Sequence, residues 1–161
     1  DDVTLLAHAS AEAWQQGEDW ALIAIPPHYG EHVRPAALAS SRPAPGDTLW
    51  AAGFPYRTMR KSASQIGYPN ADDELRVSVG RTPDTDTLEA DAVKESDVVN
   101  TLDVVNGSSG SPVFSRSGRL VGMVRHGHCS AGGGQVNVSL VRYCGVALIT
   151  PIDLVSRYVG S

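Results

Sequence analysis

Hydrophobic positions fall in short runs rich in Val, Ile and Leu, and most runs stop at Gly, Pro, Asn or Asp. Runs of this length, closed by turn residues, read as strands of a sandwich or barrel rather than as helices. They predict strands over Val3–Ala7, Trp20–Ile25, Thr48–Gly53, Leu75–Val79, Leu88–Ala92, Pro112–Phe114, Leu120–Arg125, Val136–Leu140 and Val146–Thr150. The fold class is therefore all-β. Ala11 to Gln16 is either a helical turn or a loop decorated with alanines. Ile152 to Tyr158 follows Pro151 and spaces Ile152, Val155 and Val159 as one face of a short C-terminal helix. The stretch Ala36–Pro45 is rich in Ala, Ser and Pro and reads as a surface connector between two halves of the fold.

Composition narrows the function classes. The 161 residues are enough for one domain with a real core. The 16 glycines and 10 prolines agree with many turns. A formal net charge of −5 without a basic block makes nucleic acid and anionic membrane surfaces poor partners. No apolar run approaches the length of a membrane span, and no signal-peptide pattern opens the chain. The opening acidic pair followed by Val3-Thr4-Leu5-Leu6-Ala7 reads as the middle of a domain. Two cysteines, Cys129 and Cys144, flank a glycine-rich stretch. They are either two free thiols or one disulfide. A disulfide is the preferred expectation and implies an oxidising compartment, hence a secreted or periplasmic protein. Closing a loop of that size would contribute on the order of 3 kcal/mol.

The most informative segment is Gly107-Ser108-Ser109-Gly110-Ser111-Pro112-Val113-Phe114, followed by a second apolar run from Leu120. A serine hydroxyl is a weak nucleophile and must sit on a tight turn where a base reaches it. Backbone N–H groups of that turn must face the developing oxyanion. Glycines beside the serine permit such a backbone, and Pro112 directs the chain into an extended strand. The segment resembles the Gly-x-Ser-Gly-(Gly/Ser)-Pro signature of chymotrypsin-like serine peptidases. Its Ser-Gly-Ser-Pro-Val form looks most like bacterial branches, the glutamyl endopeptidases and dipeptidyl-peptidase relatives. The resemblance implies Ser109 as nucleophile and the N–H groups of Gly107 and Ser109 as the oxyanion hole. Ser108 stands where the family usually has Asp or Asn, a mild departure because that position contributes mostly backbone. The bland alternative is a Ser/Gly-rich hairpin turn with no chemistry.

Asp19-Trp20-Ala21-Leu22-Ile23-Ala24-Ile25 resembles the family's Asp-(Ile/Leu)-Ala-Leu segment. There the carboxylate, buried against an imidazole N–H, orients the catalytic histidine. Asp19 and Ser109 stand 90 residues apart, close to the roughly 90 between the same roles in chymotrypsin. A strand-start cap is the plain alternative for Asp19. Gly46-Asp47-Thr48-Leu49-Trp50-Ala51-Ala52-Gly53-Phe54-Pro55 resembles the strand that opens the second barrel in bacterial members, with Asp47 a turn residue only. The resemblance implies a double β-barrel. Residues 1–40 are the remainder of an incomplete N-terminal barrel carrying the acid, and residues 41–161 a complete C-terminal barrel carrying the nucleophile.

The base is the missing part. The family places its histidine upstream of the acid, and His8 is the one histidine before Asp19. Its 11-residue offset leaves no room for the strands that normally intervene, so the histidine is expected from a companion chain or precursor segment. His28 and His32 lie in a Pro-rich loop and read as exposed. Asp103, six residues before Ser109, occupies the offset that favours Arg or Lys substrates in the trypsin-like branch. Arg125, His126 and Gly127 border the same pocket and could instead favour an acidic side chain. His126, His128 and Cys129 are too tightly clustered for a usual zinc site, so neither metal nor cofactor is expected. Peptide or protein is the expected substrate. A catalytically inactive binding module on the same fold is the competing reading, and a non-peptidase β-sandwich with a structural Gly-Ser turn is the third.

Overall fold

The computed structural model describes residues 3–54, 75–83, 97–102, 104, 108–128 and 146–159. The chain opens with β1 (Thr4–His8), α1 (Ala11–Gln15), β2 (Ala21–Ala24) and a one-turn α2 (Pro27–Gly30). There follow β3 (Thr48–Gly53), β4 (Arg76–Arg81), β5 (Val98–Asn100), β6 (Pro112–Ser115), β7 (Leu120–His128), β8 (Val146–Pro151) and α3 (Asp153–Ser156). Seven of the predicted strands coincide with β1–β4 and β6–β8 to within a few residues. Those expected at Leu88–Ala92 and Val136–Leu140, and the two cysteines, lie outside the described residues. β5 and α2 were not foreseen. β5 is only three residues long, too short for a period-two pattern to register.

Strands β1 and β2 form an antiparallel pair, with Leu5 opposite Ile23 and His8 opposite Ala21. Ser10 caps α1 between them, its hydroxyl accepting from the Ala13 amide at 3.1 Å. Glu12 in the first turn has its carboxyl held below the usual range, first by a backbone N–H and then by Ser10.

The other strands form a six-stranded antiparallel sheet in the order β4-β3-β6-β7-β8-β5. Its two edges meet. The Thr101 amide, just after β5, donates to the Arg81 carbonyl at the end of β4 (2.9 Å), and the Arg81 amide donates to the Thr101 hydroxyl (2.9 Å). Gly80 permits this approach, since a Cβ there would lie 2.5 Å from the Leu102 nitrogen. The sheet thus curls until edge touches edge, which removes unpaired edges at that point. Inside it Leu49, Ala51, Val98, Leu102, Val104, Val113, Val121, Val124, Ala147 and Ile149 form one buried cluster.

A second cluster joins the β1–β2 pair to this barrel. Trp20, Ile152 and Val155 are buried together, with Ala7, Leu22, Leu38, Leu120 and Met123 packed against them. Trp20 meets the Tyr158 ring at 4.8 Å. The stretch read as a surface connector is also fastened. Ala39 donates to the Leu120 carbonyl and Leu120 to the Ala37 carbonyl, both at 2.8 Å. Arg42 pairs with Asp153 of α3.

Candidate active site

The turn at Ser109 is built by its backbone. Gly110 takes φ +81°, a left-handed conformation that a side chain would strain. The Ser111 amide closes the turn on the Ser108 carbonyl at 3.0 Å. Two further bonds tie the turn to β7: Gly110 N–H to the Val124 carbonyl (2.7 Å) and Val124 N–H to the Ser111 carbonyl (2.9 Å). Beyond it β6 and β7 form the expected hairpin, turning through Gly118 at φ +76°. Ser109 is exposed, and its hydroxyl donates to the Arg125 carbonyl at 3.5 Å, the outer limit of a hydrogen bond. Among the described residues its amide meets no acceptor.

Asp19 is anchored from the other side. Its amide donates to the Thr150 hydroxyl at 3.4 Å. That buried hydroxyl also faces the carbonyls of Gly17 (3.3 Å) and Asp19 (3.4 Å), to one of which it donates. Next to Asp19, Trp20 is driven into the second core, and its ring N–H donates to Glu18 at 3.3 Å. Asp19 is therefore held by an apolar plug and a buried threonine. Thr150 pairs with Met123 and Ile149 with Val124, so the anchors of Asp19 and Ser109 are neighbouring rungs of the β7–β8 ladder.

The expectation of a buried carboxylate is not met: Asp19 is exposed, because no described element covers it. The ring of His8, opposite Ala21, turns Nδ1 to the neighbouring Ala9 carbonyl at 2.7 Å. Among the described residues no histidine is hydrogen-bonded to Asp19 or Ser109. His28 and His32 are exposed, as expected, with His28 packed on Tyr29 at 4.2 Å. Asp47 sits in a turn, its carboxylate accepting from the Ala44 amide at 2.8 Å. His126 is exposed on β7, and Gly127 follows it on the same strand. Asp103, Gly107, Cys129 and Cys144 lie outside the described residues.

Arg125 has a partner that the sequence did not mark. Its guanidinium forms a bidentate pair with Asp97, Nε donating to Oδ1 at 2.8 Å and Nη2 to Oδ2. The Asp97 side chain is fully buried and that of Arg125 is 16% exposed. A cation already matched by a buried carboxylate is a weaker attractor for an acidic substrate side chain. Asp97 and Thr150 were not singled out from sequence. Asp97 before a Val-Val pair and Thr150 at the end of an apolar run carry no motif, so no local signal marked them.

The Trypsin-like peptidase domain model matches residues 2–123. No curated protein matches the chain by sequence. Among solved structures, the Rv3671c protease of M. tuberculosis in an inactive form aligns with a TM-score of 0.58 and 14% identity, over 99% of this chain and 66% of its own. An inactive-form serine-to-alanine mutant of Rv3671c aligns at 0.52 and 16%, over 86% of this chain and 57% of its own. Kallikrein-related peptidase 10 aligns at 0.53 and 20%, over 86% of this chain and 61% of its own. The chain thus spans between 57% and 66% of these solved structures, and at such identities the likeness is one of fold. The curled antiparallel barrel has the chymotrypsin-like all-β architecture. With the family model matching well over half of its residues, the chain belongs to the trypsin-like peptidase domain family.

Proposed function

We propose that this chain is the acid- and nucleophile-bearing part of a serine endopeptidase of bacterial type, related to the glutamyl endopeptidases and dipeptidyl-peptidase relatives. The observation that carries the reading is the anchoring of Ser109 and Asp19 on neighbouring rungs of one strand pair. Ser109 Oγ attacks the scissile carbonyl of a peptide or protein and forms a bond to carbon. A histidine takes the hydroxyl proton and returns it to the leaving amine. Asp19 orients that imidazole. The N–H groups of Gly107 and Ser109 hold the oxyanion. Water then attacks the acyl-enzyme, and the freed acid leaves Ser109 restored.

The histidine comes from outside residues 1–161, from a precursor segment or a companion chain. Two observations support this. The His8 ring faces its own neighbour's carbonyl. Leu5, Leu6 and Ile23 of the first strand pair, and Val3 and Ile25 beside it, are each more than half exposed, as expected of strands whose covering layer lies elsewhere. On this reading residues 1–40 belong to the N-terminal barrel and residues 41–161 make the C-terminal one. A secreted or periplasmic location goes with it. The alternative is an inactive binding module, favoured by the His8 ring meeting the Ala9 carbonyl rather than Asp19.

A fluorophosphonate probe separates the two. In the complete protein it should label Ser109, located by mass spectrometry, and Ser109→Ala should abolish labelling. An intact, folded protein that stays unlabelled leaves only the binding module.

A further inference from the structure

The Asp97–Arg125 pair lies where the nucleophile turn meets the barrel. Arg125 is the extra residue of a β-bulge: Val124 pairs with Ile149 and His126 with Leu148, leaving Arg125 unmatched on β8. Bulges re-aim the residues they contain. Here the bulge turns the Arg125 carbonyl toward the Ser109 hydroxyl. The residue before it, Val124, makes both backbone bonds that tie the turn to β7. A bulge breaks the ladder, so its conformation needs support from elsewhere. Asp97, immediately before β5, supplies that support across the intervening β8, since the sheet order is β7-β8-β5.

We propose that the Asp97–Arg125 ion pair is a positioning device for the nucleophile: it pins the β7 bulge and so sets the place of Ser109. Neither residue touches substrate in this role. The pair suits the task chemically. The Asp97 carboxylate is fully buried, so taking away the matching guanidinium removes a charge partner where water cannot replace it. The planar guanidinium meets it with two parallel bonds, fixing direction as well as distance, which an ammonium cannot do. The inference rests on Ser109 being the nucleophile, and its test is chosen so that the two can fail separately.

The test uses the complete protein with Arg125→Met, Asp97→Asn and the milder Arg125→Lys, each checked for folding by near-ultraviolet circular dichroism. The first readout is amide hydrogen exchange at Gly110, which reports the anchoring of the turn whether or not the protein is active. Arg125→Met and Asp97→Asn should exchange about tenfold faster there or more, with Leu49 in the barrel core unchanged. The second readout is the fluorophosphonate labelling rate of Ser109 per folded molecule. It should fall about 10²-fold in the same variants, the scale of loss when a reacting group is displaced by about 1 Å. Arg125→Lys should fall between them and wild type in both readouts, and it serves alone if the other two do not fold. Folded variants with wild-type exchange at Gly110 overturn the positioning role. An unlabelled wild type overturns the peptidase reading instead, and exchange at Gly110 still decides whether the pair holds the turn.

Discussion

At Ser109 the backbone does what the side chains do not. The hydroxyl is exposed, and the turn beneath it is held by backbone bonds to Val124. The turn itself was legible in sequence, because glycines around a serine ahead of a proline favour it locally; its bonds to Val124 were not. Asp19 was legible through its resemblance to the family's acid-bearing segment and its offset from Ser109, but not through anything that fixes its place. Its placement depends on Thr150 and on Trp20, which are read only once the chain has folded. If Asp19 orients the base, Asp19→Asn keeps the shape and leaves the imidazole in the wrong tautomer. In the complete protein kcat should then fall by about 10⁴ with little change in KM. A variant that retains wild-type kcat removes Asp19 from the mechanism.

At the scale of elements, the strand edges decide whether the sheet closes. β4 and the segment after β5 approach so closely at Gly80 that a methyl group would strike the backbone of Thr101 and Leu102. Backbone cannot swing aside as a side-chain tip can. Gly80→Ala should therefore destabilise by about 1–3 kcal/mol, read as a lower denaturation midpoint. An unchanged midpoint would mean that the two edges do not meet there. The sequence marked most strands but not β5, and it did not mark Gly80 as a contact. Whether an isolated glycine in a strand is merely tolerated or required depends on what lies across from it.

At the scale of the whole molecule, two packed units share one junction. Trp20 fills it, against Ile152, Val155 and Tyr158 from the chain's other end. Trp20→Ala should cost about 3–5 kcal/mol and loosen the β1–β2 pair from the barrel, seen as faster amide exchange in β1 and β2 than in β3. Arg42→Ala, which removes an exposed pair tying the connector to α3, should change stability by no more than about 1 kcal/mol. If both substitutions cost the same, the junction is not held by its apolar plug.

The sequence by itself determined the all-β class, most strand positions and the Ser109 turn, because turn chemistry and short-range hydrophobic pattern are written in neighbouring residues; the kinship with trypsin-like peptidases came from resemblance to that family's motifs. Tertiary structure alone decided that Thr150 brackets Asp19 from 131 residues away, that Asp97 clamps Arg125 across 28, and that Arg125 is matched by a carboxylate rather than standing as an open cation. Such pairings follow from strand order and register, and a single-residue slip in register would replace every one of them while leaving the local pattern untouched.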